Sequence, residues 1–162
     1  MAVDYFLKID GIPGESTDSK HKGEIEVLSW SWGMTRSESP GGGGGAGGGK
    51  VNVQDLSFVS AVSKASPKLL EACAGGQHFK QAVLVARKAG KAQLEFLTYT
   101  LSDLLVSSYQ TGGGEGAEVV PADQVSLNFS KVQVEYKEQK ADGSLGGSTK
   151  AGFDVQHNKI SP

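Results

Sequence analysis

Val3, Tyr5, Leu7 and Ile9 alternate with polar or less apolar positions, the period-two pattern of a β-strand. Gly11-Ile12-Pro13-Gly14 ends that strand, and the polar stretch 15–23 reads as loop. A second strand is predicted from Glu24 to Met34, and its alternation changes phase. Ile25 and Val27 share one parity, while Leu28, Trp30 and Trp32 share the other. A one-residue slip of this kind predicts a β-bulge or a bend. A glycine run then interrupts the pattern, and Val51 to Val62 resumes as strand. One helix is predicted, with Ser66 as N-cap, Pro67 in the first turn, Leu69, Leu70 and Cys73 at helical spacing, and Gly75-Gly76 as the stop. Gln81–Lys88 and Gln93–Leu101 flank Ala89-Gly90-Lys91 as a hairpin, and Leu104–Gln110 continues as strand. The segment 111–116 is predicted as loop. Val125 to Glu138 is a long strand with a second slip: Val125, Leu127 and Phe129 are odd, Val132, Val134 and Tyr136 are even. A turn over Asp142–Gly147 and a last strand over Ala151–His157 close the chain. Long strands that slip internally can curl through two faces of a small barrel. The expected fold is mainly β: residues 1–162 as a single-domain β-barrel or two-sheet sandwich, with one short flanking α-helix and a Gly-rich extended loop.

The composition narrows the function classes. A chain of 162 residues, 38% hydrophobic and 21% charged, suits one soluble domain with a sizeable core. Net charge is −2 and no Lys/Arg run occurs, so a nucleic-acid partner is disfavoured. Cys73 is the single cysteine, which excludes an intrachain disulfide and suits a reducing compartment. Met1-Ala2-Val3-Asp4 lacks a basic and an apolar leader region. No run approaches the roughly 18 apolar residues of a membrane span. The expectation is a cytoplasmic protein without membrane insertion.

Candidate chemistry is sparse. Gly44 to Gly49 with Lys50 satisfies G-x-x-x-x-G-K, but Val51 stands where a magnesium-binding Ser or Thr is needed, and a strand follows where a P-loop has a helix. His21, His78 and His157 stand far apart without partners at metal-ligand spacing, and read as surface or edge residues. Cys73 reads as a small core residue, with His78 only a weak partner for a nucleophile. Glu24 and Glu26 alternate on one strand face, a pattern of solvated strands more than of a glycosidase pair. No catalytic residue, metal or cofactor is therefore expected. Trp30 and Trp32 share a face and read as core. Ser29 and Ser31 point the other way, toward either plain solvent or a cavity shared between subunits.

Two phrases and the segments around them carry a family likeness. Leu28-Ser29-Trp30-Ser31-Trp32-Gly33-Met34 is followed, across the glycine run, by Val51-Asn52-Val53-Gln54-Asp55-Leu56-Ser57-Phe58. Together with Ala2-Val3-Asp4 and Phe6, Ser66-Pro67, and Val125-Ser126-Leu127-Asn128-Phe129, they resemble the Hcp family, the tube protein of bacterial type VI secretion. The resemblance implies a homo-oligomer: six-membered rings that stack into an exported inner tube, whose lumen carries and protects effector proteins. It implies a spike protein at the tip, sheath proteins and secreted effectors as partners, and secretion without a cleaved signal peptide. It assigns Ser29 and Ser31 to the lumen, where effectors bind, and the tryptophans to the core. It assigns Gly41, Gly42, Gly43, Gly44, Gly45, Ala46, Gly47, Gly48 and Gly49 to the loop that contacts a stacked ring. A monomeric barrel binding a small molecule beside Trp30 and Trp32 is the alternative.

Overall fold

The computed structural model describes residues 2–37, 50–90, 93–116 and 120–161. In chain order the strands are β1 (Val3–Ile9), β2 (Ile25–Val27), β3 (Ser29–Ser31), β4 (Met34–Ser37), β5 (Lys50–Val53) and β6 (Leu56–Ala61). Helix α1 (Ala65–Gly75) follows, then β7 (His78–Lys88), β8 (Glu95–Gly112), β9 (Ala122–Gln139), β10 (Leu145–Asp154) and β11 (Lys159–Ser161). The strands β11-β10-β9-β8-β7-β1-β2 are neighbours in that order, and β6 bridges β3 to β9. The described ladders are antiparallel.

The two slips read from the sequence are where the sheet turns. At Leu28 the chain leaves β1, with Val27 still paired to Tyr5, and joins β6, with Ser29 paired to Val59. The Leu28 N–H donates to the Val59 carbonyl at 2.7 Å. The expected single strand 24–34 is therefore β2, β3 and the first residue of β4, each on a different partner. Leu28 itself points outward, 64% exposed, although its parity placed it with the tryptophans. A residue at the corner belongs to neither alternation. In β9 the slip falls between Phe129 and Val132, both buried. There the Ser130 carbonyl accepts the Val155 N–H at 2.8 Å. Opposite it, Asp103 of β8 takes a left-handed φ of 49°, uncommon for a residue with a Cβ. β9 thus keeps β8 along one edge while its other edge pairs first with β6 and then with β10. The circuit β1–β2/β3–β6–β9–β8–β7 closes a barrel.

Leu7, Ile9, Ile25, Leu56, Phe58, Leu84, Leu101, Leu104, Leu127 and Phe129 fill its interior. Helix α1 lays Leu69 and Ala72 on one end of this core. Its start differs from the expected one. Lys64 is the N-cap position and makes no side-chain cap, while the Ser63 hydroxyl accepts the Ala65 N–H at 3.2 Å. Ser66 lies inside the first turn because Asp123 of β9 binds its hydroxyl. The helix ends as expected at Gly76, which takes φ 64°. Two further differences concern lengths. β8 runs unbroken through the expected gap at residues 102–103, and β11 adds a short edge strand beyond the expected last one.

Candidate functional site

The face that carries Ser29 and Ser31 continues across four strands. Ser31 of β3 pairs with Ser57 of β6, Ser57 with Ser126 of β9, and Ser126 with Ser108 of β8. Cross-strand partners project from the same side of a sheet. The four serines therefore form one row, roughly 14 Å long at ordinary strand spacing. Ser57 Oγ and Ser126 Oγ share a hydrogen bond of 3.0 Å. The adjoining row is Ser29–Val59–Gln124–Gln110. Neither row contains a charged side chain, and Ser29, Ser31, Ser108, Gln110 and Gln124 are exposed. Beyond the serine row, the Asp55 carboxylate accepts from Ser107 Oγ at 2.7 Å and from Asn128 Nδ2 at 2.8 Å. That charge is thus held by two neutral donors.

The opposite side of the same strands carries an aromatic layer. Trp30 and Trp32 are half-buried and pack on the core. Tyr99 lies between them, its ring centroid 5.0 Å from that of Trp30 and 6.1 Å from that of Trp32. Tyr5 meets Trp30 edge-on at 6.1 Å, and Phe129 meets Trp32 at 6.2 Å. Edge-on pairs of this kind contribute about 0.5–1.5 kcal/mol each beyond their buried area. Burial pushes the Tyr99 hydroxyl above its usual pKa. The barrel interior is taken up by side chains, so the tryptophans line a packed aromatic layer.

Behind the row, Asp123 of β9 is 1% exposed and anchors the helix. It accepts from the Ser66 hydroxyl and from Tyr109 Oη, the latter at 2.9 Å. Burial first, and then the bond to Asp123, raise the Tyr109 pKa.

The remaining candidates are dispersed. Cys73 is a half-buried free thiol packed on the core. His78 is exposed on β7, its Nδ1 3.3 Å from Asp103. His157 is exposed and faces Asp154 at 2.9 Å. His21 is the correction among the histidines: it is buried, stacked on Phe6 and held by Glu24. Glu26, two residues further, is exposed. No group of three or more His, Cys, Asp or Glu side chains is placed to hold a metal ion among the described residues. Lys50 opens β5. The run Gly41, Gly42, Gly43, Gly44, Gly45, Ala46, Gly47, Gly48, Gly49 lies outside the described residues, between the strands of the β4–β5 hairpin.

Comparison with known proteins places this arrangement. The family described as "Type VI secretion system effector, Hcp" matches residues 6–136. Protein hcp1 of Pseudomonas aeruginosa is 56% identical over 160 residues, 98% of each chain. The crystal structure of Hcp1 from Salmonella typhimurium superposes with a TM-score of 0.84 at 45% identity, covering 99% of this chain and 100% of that one. A solved "type six secretion system protein" superposes with a TM-score of 0.92 at 31% identity, covering 99% and 100%.

Proposed function

The chain belongs to the Hcp family, the tube protein of type VI secretion, and we propose that it acts as the repeating subunit of a ring whose uncharged hydroxyl face lines the lumen. Family membership makes it a structural, non-catalytic protein. The further reading is a six-membered ring, stacked on others into an exported tube and capped by a spike protein within a sheath. Its lumen carries effectors, and it leaves the cytoplasm without a cleaved signal peptide. The segment Gly41–Gly49 contacts the next ring in this reading.

The observation that carries it is the neutral pair of rows, Ser31–Ser57–Ser126–Ser108 and Ser29–Val59–Gln124–Gln110. Hydroxyl and amide groups both donate and accept. Such a surface hydrogen-bonds to many polar proteins while binding none through a strong ion pair. An ordinary solvated strand face carries Lys and Glu freely, as β9 and β10 do at Glu135, Lys137 and Lys150.

The test pairs electron microscopy with co-purification. Purified protein should show six-fold annuli. Ser126→Glu should keep them, because Ser126 alternates with the buried Val125 and Leu127 and so lies on the other face of β9, and should lower the amount of effector retained per ring. Annuli that persist while every effector is retained equally would place the row outside the lumen. A clean monomer at high concentration would overturn the ring itself.

A further inference from the structure

The loop between β1 and β2 is fastened to the outside of the barrel through one buried histidine. His21 is 6% exposed and lies flat on Phe6 of β1, the ring centroids 4.4 Å apart and the planes 8° apart. Its Nδ1 is 3.0 Å from each carboxylate oxygen of Glu24. Its Nε2 is 2.6 Å from Oε1 of Glu95 on β8, across the sheet. The other charged groups packed here come from three elements. Arg87 of β7 lies over the Phe6 ring at 4.8 Å and pairs with Asp18 of the loop and Asp4 of β1. Asp18 Oδ1 also accepts the His21 backbone N–H at 3.2 Å. Lys20 and Lys22 flank the histidine and are exposed.

The donor count decides what this arrangement requires. An ionised carboxylate only accepts, and a neutral imidazole has one N–H. Nδ1 and Nε2 both face carboxylate oxygens. Both contacts exist together only when each ring nitrogen carries a proton, or when one carboxyl holds the extra one. Either way the closed bridge carries one more proton than a neutral ring between two carboxylates.

We propose that Glu24–His21–Glu95 is a proton-dependent clasp, which closes the 15–23 loop over β1 and β7 and loosens as the pH rises. The sign follows from mass action: the form that binds more protons loses ground as protons become scarce. Loosening uncovers Phe6 and widens the adjoining groove of about 470 Å³, whose lining includes Asp4, Thr17, Asp18, Glu26, Leu28 and Arg87. Above the transition the loop remains tethered by Arg87–Asp18, so the clasp governs how tightly the loop is held and leaves the barrel intact.

Hydrogen exchange on the assembled protein tests this, with protection factors corrected for intrinsic rates. From about pH 5.5 to about pH 8.5, protection of the 15–23 amides should fall roughly tenfold, the worth of one charge-assisted hydrogen bond. The β8–β9 amides should hold level and serve as the internal reference. Glu95→Gln supplies a side-chain amide that donates to an unprotonated Nε2, so a neutral ring satisfies both partners. That variant should keep the loop protected at high pH and show no trend. A level wild-type profile would overturn the clasp, as would a Glu95→Gln profile that falls like the wild type. The wild-type profile alone decides the matter should the variant not fold.

Discussion

Asp123→Ala should weaken the protein by about 2–4 kcal/mol, and the figure can be worked from its neighbours. The carboxylate is buried and accepts two hydroxyl bonds, from Ser66 on α1 and from Tyr109 on β8. Leaving a buried hydroxyl without a partner costs about 1–3 kcal/mol. Ser66 is buried and its O–H loses its acceptor, although its Oγ still accepts the Ser63 N–H at 3.0 Å, while the half-buried Tyr109 hydroxyl can turn to water and bears less. Asp123→Asn keeps the volume and one accepting oxygen, so about 1–2 kcal/mol is expected. Against a typical total of 5–15 kcal/mol, the alanine variant should melt visibly earlier. Urea unfolding at one fixed protein concentration is the assay, since assembly would otherwise shift the midpoint. Tyr109→Phe combined with Asp123→Ala should cost less than the two changes summed, because the pair shares one bond. Additive losses, or an Asp123→Ala loss below about 0.5 kcal/mol, would refute the anchoring role.

Two glycines and one ion pair give the remaining tests. A Cβ at Gly14 would overlap the Glu24 carbonyl and stand 2.8 Å from Ile25 Cα, so Gly14→Ala should lower thermal stability by about 1–3 kcal/mol in differential scanning calorimetry. At Gly152 an added Cβ would stand 2.7 Å from Ser161 Oγ and 3.1 Å from the Val132 carbonyl. Gly152→Ala should free β11 from β10, seen as lost amide protection confined to residues 159–161. The Arg87 hydrogen bonds, and then the Lys20 backbone N–H, hold the Asp18 carboxyl well below the usual carboxylate range. Its folded pKa is depressed, so the stability it adds is present above the ordinary aspartate value of 3.8 and is lost as the pH falls below it. Asp18→Asn should therefore flatten the acid limb of a stability-against-pH curve; an unchanged acid limb would show that the pair contributes nothing.

Periodicity carried most of the fold into the sequence. β1 was legible residue for residue, and both phase slips marked real changes of strand partner, at Leu28 and at Ser130–Lys131. What stayed illegible depends on which strand lies beside which. Ser57, Ser108 and Ser126 look like ordinary strand serines until the register sets them beside Ser31, from as far as 95 positions away (126 − 31). His21 reads as a loop histidine, and only β8 brings Glu95 to its far nitrogen. Ser66 has the residue type of an N-cap, yet it lies inside the first turn with its hydroxyl bound to a buried acid from β9, and it is the Ser63 hydroxyl that takes the Ala65 N–H.

The distribution of charge on this barrel bears on the proposed carrier role. Ion pairs lie at a distance from the serine rows: Arg87 of β7 with Asp18 of the β1–β2 loop, and Glu135 at the far end of β9 with Lys150 of β10. Across β3, β6, β9 and β8 the two central rows hold none. Charged groups at an interface steer encounters and reject partners of like sign. A ring that must accept several effectors gains little from either effect, and a close ion pair would also slow their release. Neutral hydroxyls have a further consequence when repeated around a ring. Six copies of one charge would set up a common field that mobile salt ions screen, so binding through it would weaken as salt is added. Six copies of a serine add contact points without such a field. The expected signature is retention that changes little with salt for the native ring, and a steep salt dependence once Ser126→Glu supplies the missing charge. Equal salt dependence of the two rings would mean that cargo does not meet this face.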